Sequence, residues 1–216
     1  MGGVEEWFKN YRYQHHKAYF ITEQYFPHEY GNNPHDYWNI WVNHAGQKPY
    51  HYEPTLEMIT KKYNVVVFKH CYPVSDIEQS NGESNISIDK KTIENYKLQY
   101  IALRYKLLEF PEIKFIVWTG ASQVKGSTSP ERAERAQQFF TWVRKEWDKP
   151  GDNIYLWDFQ LLETEGGLFL IESYATGPYD SHPNKRFAKQ VAPLFCKRIV
   201  DVIEGRGDSE NITGKQ

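Results

Sequence analysis

The chain is poor in sulfur. Two cysteines, Cys71 and Cys196, and two methionines stand among 216 residues, too few for a disulfide framework. Both cysteines have apolar neighbours and read as buried thiols. No apolar run approaches the roughly 18 residues that a membrane-spanning helix needs, so no membrane partner is expected. Positive charge is not in excess: 26 Lys and Arg face 28 Asp and Glu. That excludes the basic footprint of a nucleic-acid binder. Metal-binding spacings such as His-x-His, His-x3-His or Cys-x-x-Cys are missing as well, and neither a metal nor a cofactor is expected. The opening stretch "MGGVEEWFKN" has no basic and apolar leader regions. The compartment therefore stays open, with a secreted or periplasmic protein freed of its signal peptide as one expectation. Oligomeric state is left open too.

What the chain does have is aromatics, at 16%, and an alternation of short apolar runs with longer helical patterns. "KAYFIT" (17–22), "NVVVFKH" (64–70), "IKFIVWT" (113–119) and "NIYLWDF" (153–159) are β-branched and aromatic, as buried strands are. Ile93, Tyr96, Tyr100, Leu103 and Leu107 step at helical spacing after Asp89, the expected N-cap. Ala133, Ala136, Phe140, Val143 and Trp147 repeat the pattern behind Ser129 and Pro130. A final helix should carry Phe187, Val191, Leu194, Ile199 and Ile203, with a kink expected at Pro193. Strands joined by crossover helices predict one α/β domain over 1–216 with a central parallel sheet, helices on both faces and ligands at the carboxyl ends of the strands. Residues 27–52, rich in His, Tyr, Trp and Asn, read as a long loop over that edge. Residues 205–216 read as a polar, fraying tail.

The chemistry concentrates near "PYDSHPNKRFA" (178–188). A histidine ahead of a helix, with a carboxylate nearby to set its tautomer, is the base half of a hydrolytic device; the alternative is a helix start with a surface histidine. Taken in order, "YNVVVFKHCYPVSDI", "IKFIVWTGA", "RAERAQQFFTWVRKEW" and the "DSHPN" block resemble the SGNH/GDSL hydrolase superfamily from about residue 17 to 204. The resemblance implies a three-layer α/β/α, flavodoxin-like fold and removal of acyl groups from carbohydrates and lipids. It implies His182 as base and Asp180 as its orienter. Two features depart from that pattern. Asp180 stands two residues before His182 instead of three, and Thr22, Glu23 and Gln24 occupy the place of the nucleophilic serine block.

The resulting expectation is a carbohydrate-active hydrolase or esterase with a remodelled, non-serine site, acting on a carbohydrate or acylated small molecule. A polysaccharide lyase using Tyr25 or a loop histidine in acid–base elimination is the second reading, and a non-catalytic sugar-binding relative the third. His70 joins His182, Asp180 and Tyr25 as a catalytic candidate. Gln24, His28, Asn39, Asn43, His44, Lys69, Thr119, Lys125 and Arg132 are the candidate substrate contacts. Tyr37, Trp38 and Trp41 fit either a sugar-stacking platform or packing. Asp158 and Glu163 read as structural, and so does Cys71.

Overall fold

Three of the four apolar segments form strands in the computed structural model, which describes residues 3–28, 31–209 and 211–215. These are β1 (Val65–Phe68), β2 (Lys114–Trp118) and β3 (Ile154–Trp157). They lie parallel in the order β1-β2-β3, with Val67 opposite Ile116 and Ile116 opposite Tyr155. Strand alternation sends neighbouring side chains to opposite faces. Phe115 and Val117 therefore enter one apolar cluster, and Ile116 and Trp118 enter or adjoin another.

On the first face lie α4 (Ile93–Leu108) and α5 (Pro130–Trp142). They bring Tyr96, Tyr100, Leu103, Leu107, Ala136, Phe139 and Phe140 into the core. On the second lie α1 (Val4–His15) and α7 (Lys185–Ile203), contributing Val4, Phe8, Phe187, Val191, Phe195, Cys196 and Ile199. Burying each such side chain stabilises the fold by about 1.5–3 kcal/mol.

The expected flavodoxin-like, SGNH-type fold with one continuous parallel sheet is corrected by this topology. The parallel sheet has three strands, and a separate antiparallel pair is formed by β4 (Ala175–Gly177) and β5 (Asp180–Pro183). The fourth expected strand, residues 17–22, has no strand pairing. Tyr19 and Ile21 pack against the second cluster, but Phe20 is 91% exposed. An apolar run records what can be buried; ladder hydrogen bonds depend on a neighbour that periodicity does not specify.

Other local readings shift as well. The cap of α4 is Thr92, whose side chain accepts from the Asn95 N–H, and not Asp89. Ser129 does cap α5, accepting from Arg132. Helix α7 runs unbroken through Pro193, and two short helices, α3 (Leu56–Ile59) and α6 (Phe159–Thr164), stand between the longer ones. Residues 27–52 are not a structureless loop: Pro34 starts α2 (Pro34–Trp38), and a π-type turn over Asn39–Asn43 continues it. Tyr37, Trp38 and Trp41 are all buried, so these aromatics are core.

Two terminal segments are also more integrated than their composition implies. α1, which carries His15, belongs to the core through Val4 and Phe8. Tyr11, Lys17 and Tyr19 converge on Glu204 at the end of α7. Lys17 and then Arg206 hold that carboxyl down at about 2. The C-terminal stretch is tied to β3: Trp157 Nε1 donates to the Thr213 carbonyl at 3.0 Å, and the Asp158 N–H donates to Ile212 at 2.8 Å.

Candidate functional site

His182 and Asp180 owe their juxtaposition to β5. On a strand, residues two apart share a face; Ser181 between them turns inward and is 1% exposed. Asp180 Oδ1 accepts from the His182 backbone N–H at 3.0 Å and lies 2.6 Å from His182 Nδ1. The backbone donor first, then the ring, holds the Asp180 carboxyl below its usual range. Both side chains are well exposed, where such a pair adds little stability. Its consequence is orientation: with Nδ1 turned to Asp180, Nε2 is the free position. Among the described residues Nε2 has no hydrogen-bond partner.

Several contacts hold the hairpin in place. Val124 N–H donates to Ser181 Oγ at 3.1 Å, and Ser127 Oγ donates to the Tyr179 carbonyl at 2.9 Å. Gly126 lies so close to Pro178 that a Cβ there would stand 2.4 Å from its carbonyl oxygen. Behind β5, Asn184 caps α7 by accepting from Phe187 at 2.9 Å. Its amide also donates to the Ser173 and Ala175 carbonyls.

Of the pair, His182 lines a cavity of about 130 Å³. It sits where β1 and β2 end, walled by Lys69, Cys71, Trp118, Gly120–Ala121, Phe159 and β5. A 3-10 turn over Tyr72–Ser75 sets the Tyr72 ring edge-on to His182, with centroids 5.0 Å apart. Trp118 Nε1 is buried and has no partner among the described residues. A wider hollow near Asn81, Asn85 and Asn95 is lined mostly by polar, exposed chain and brings no comparable group together.

Behind the Gly120–Ala121 wall stands Glu163, fully buried. Its Oε1 accepts from the Ser122 N–H at 2.5 Å, and burial pushes its carboxyl well above the usual range. Gly120 has φ +95, and a Cβ would meet Glu163 Oε1 at 2.7 Å. Gly120→Ala is therefore expected to cost roughly 1–3 kcal/mol, from backbone strain and this clash. Urea unfolding measures it, and an unchanged midpoint would show that the wall yields freely.

The other sequence candidates have distinct places. His70 adjoins the cavity but is 1% exposed: Nε2 lies 2.6 Å from the Tyr100 hydroxyl and Nδ1 3.2 Å from the Asn32 carbonyl. Burial pushes its imidazole down to about 4, so it is a neutral, fully engaged ring. The Lys69 side chain is exposed, while its carbonyl accepts from the Tyr37 hydroxyl at 2.8 Å. Thr119 is buried, donating to Asp158 Oδ1 at 2.5 Å and accepting from the Gln160 N–H at 3.2 Å. Lys125 is exposed, and Arg132 pairs with Asp76 at 2.5 Å.

Tyr25 is 72% exposed and stands against His28, whose Nδ1 lies 3.1 Å from Glu53. Gln24 is exposed nearby in the chain. Asn43 donates to Asn39 at 3.2 Å, while His44 stacks on Tyr50 at 3.7 Å. None of these lines the cavity among the described residues. The cavity's own additions are Cys71, Tyr72, Trp118 and Phe159. Cys196 is fully buried and its thiol is pushed up to about 12. Cys71, expected to be buried too, is only half-buried.

One group of residues has the composition of a metal site. His35, Asp36 and Asp89 each place a ligand atom within 4.8 Å of the others. Asp36, however, gives Oδ2 to the Asn33 N–H at 2.8 Å, at the start of α2. Asp36 chiefly, with help from Asp89, raises the His35 imidazole above its usual value. These carboxylates favour the protonated ring, whereas a metal needs the neutral one.

No protein-family model, no curated protein and no solved structure matches this chain. With the sheet split in two, the expected place in the SGNH/GDSL hydrolase superfamily is overturned. The carbohydrate-directed hydrolase, lyase and sugar-binding readings rested on that resemblance and on an inventory of residue types, and they fall with it. No helix among the described residues is long and apolar enough to cross a membrane.

Proposed function

We propose that the cavity beside β5 is a proton-transfer site for a small carbonyl compound, with His182 as general base and acid and Asp180 as its positioning residue. The observation that carries this reading is the 2.6 Å contact between His182 Nδ1 and Asp180 Oδ1. It commits one ring nitrogen and leaves the other for a substrate proton. The Trp118 indole forms part of the cavity wall, so a small carbonyl compound held there lies against it. Tyr72, Trp118 and Phe159 keep the surroundings apolar, and Lys69 adds a cation at the rim.

The test is nuclear magnetic resonance in D2O with a panel of small ketones and keto acids. Binding is expected to shift the Trp118 indole resonance. Deuterium should enter the carbon next to the carbonyl faster than without protein. In His182→Gln binding should persist while exchange falls roughly 100-fold or more, the usual worth of a positioned base. Exchange that is equal in both proteins, or probes that leave Trp118 unmoved, would overturn the assignment.

A further inference from the structure

We infer that the compound taken by this cavity is a short 2-oxo acid, with a carboxylate beside its carbonyl, and that Lys69 is the residue that selects it. The inference rests on the proposed role of His182 and names the substrate class of that same site. Lys69 directly follows β1, lines the cavity and is exposed. Its backbone is fixed: the carbonyl accepts from the Tyr37 hydroxyl at 2.8 Å, and His70 after it is sealed in the core. No carboxylate pairs with Lys69 among the described residues, and the cavity wall they form holds no acidic residue. A single unpaired cation in an otherwise apolar wall is the recognition element for a small anion.

The charges on neighbouring segments point the same way. Lys125 stands between Val124, whose N–H donates to Ser181 Oγ, and Gly126, which packs on Pro178. Lys185 and Arg186 open α7 just after Pro183 of the cavity wall. The first turn of α7 contains no acidic residue, although a helix N-terminus favours negative charge. None of these three cations forms an ion pair among the described residues. The nearby acids are engaged or neutral: Asp180 accepts from the His182 backbone and lies against its ring, and burial favours the uncharged form of Glu163. A cavity of about 130 Å³ is well below the size of a drug-binding site, so the substrate has only a few carbons. With its carboxylate anchored at Lys69, the C–H on the other side of the carbonyl is left for His182 Nε2. That bond breaks, its electron pair forms an enolate with the carbonyl, and return of a proton from Nε2 restores the acid.

Oxamate, a carboxylate beside an amide carbonyl with no C–H to lose, tests binding, and pyruvate in D2O tests exchange. Titration calorimetry should show oxamate binding to the native protein, more weakly at high salt. Acetamide, its uncharged counterpart, should bind roughly tenfold more weakly or worse, and Lys69→Met should weaken oxamate by a similar factor, the usual worth of a charge-assisted hydrogen bond. Lys69→Arg should restore most of the affinity, which a merely structural role would not predict. In pyruvate exchange the loss in Lys69→Met should fall chiefly on KM. Absence of oxamate binding, equal binding by the native protein and Lys69→Met, or acetamide or inorganic phosphate binding as tightly as oxamate overturns the inference. If oxamate needs Lys69 but pyruvate exchange is the same in His182→Gln, only the base is lost. If exchange depends on His182 but not on Lys69, only the carboxylate site is lost.

Discussion

Trp157→Ala is expected to destabilise the protein by about 3–5 kcal/mol, the range for removing a large aromatic side chain from a close-packed core. Trp157 is 1% exposed at the end of β3. Its ring meets Trp118 at 4.3 Å, Phe195 at 4.8 Å and Phe159 at 5.2 Å. Its Nε1 also holds the C-terminal segment through the Thr213 carbonyl. Trp157→Phe separates the two contributions. It keeps most of the ring volume and gives up the hydrogen bond, at a cost of about 1 kcal/mol. Urea unfolding of both variants checks the order, and equal losses would place the effect in the tether and not in the core. Because Trp118 rests on Trp157, the Ala variant should also weaken probe binding at the cavity, whereas Phe should retain it.

The second large effect depends on pH. Asp148 follows the π-type turn Val143–Trp147 that ends the α5 region. Burial, reinforced by Asp152, pushes its carboxyl from 3.8 to about 6, against the opposing pull of Arg198 and Arg104. A group whose folded value lies above its unfolded value binds more protons in the native state across the intervening window. Its contribution is fully present below about pH 4 and is lost as pH rises through about 6. Asp148→Asn removes that loss. Relative to the native protein, the variant should gain on the order of 3 kcal/mol between pH 4 and pH 8. Unfolding curves at the two pH values measure the difference, which cancels pH-independent effects of the substitution. A constant difference between the proteins would mean that Asp148 titrates normally.

Much of the secondary structure was legible in the residues. β1, β2 and β3, the helical stripes of α4, α5 and α7, and the Ser129 cap all follow from apolar spacing and capping chemistry, because these are local properties. The same logic misplaced residues 17–22 and left 34–43 as loop. In the first, Tyr19 and Ile21 find a core without finding a hydrogen-bonded neighbour. In the second, a Pro34 start and the close-set Tyr37, Trp38 and Trp41 make a short helix that only its packing reveals.

The candidate site divides in the same way. From residue chemistry alone, Asp180 and His182 were a plausible base and orienter, Cys196 a buried thiol, and Asp158 and Glu163 structural. Against the spacing that the SGNH/GDSL resemblance implies, Asp180 stands one residue too close to His182. On β5 that spacing is what sets both side chains on one face, since strands repeat every two residues. Tertiary structure alone made His70 a sealed, neutral core ring, and it moved Tyr25, Asn39, Asn43 and His44 off the cavity. It also opened Cys71 to the chamber that His182 faces. The sequence by itself determined which segments could be helix or strand and which groups could carry protons. Which of those groups meet was decided by long-range packing and by the split of the sheet, because such contacts depend on neighbours distant in the chain.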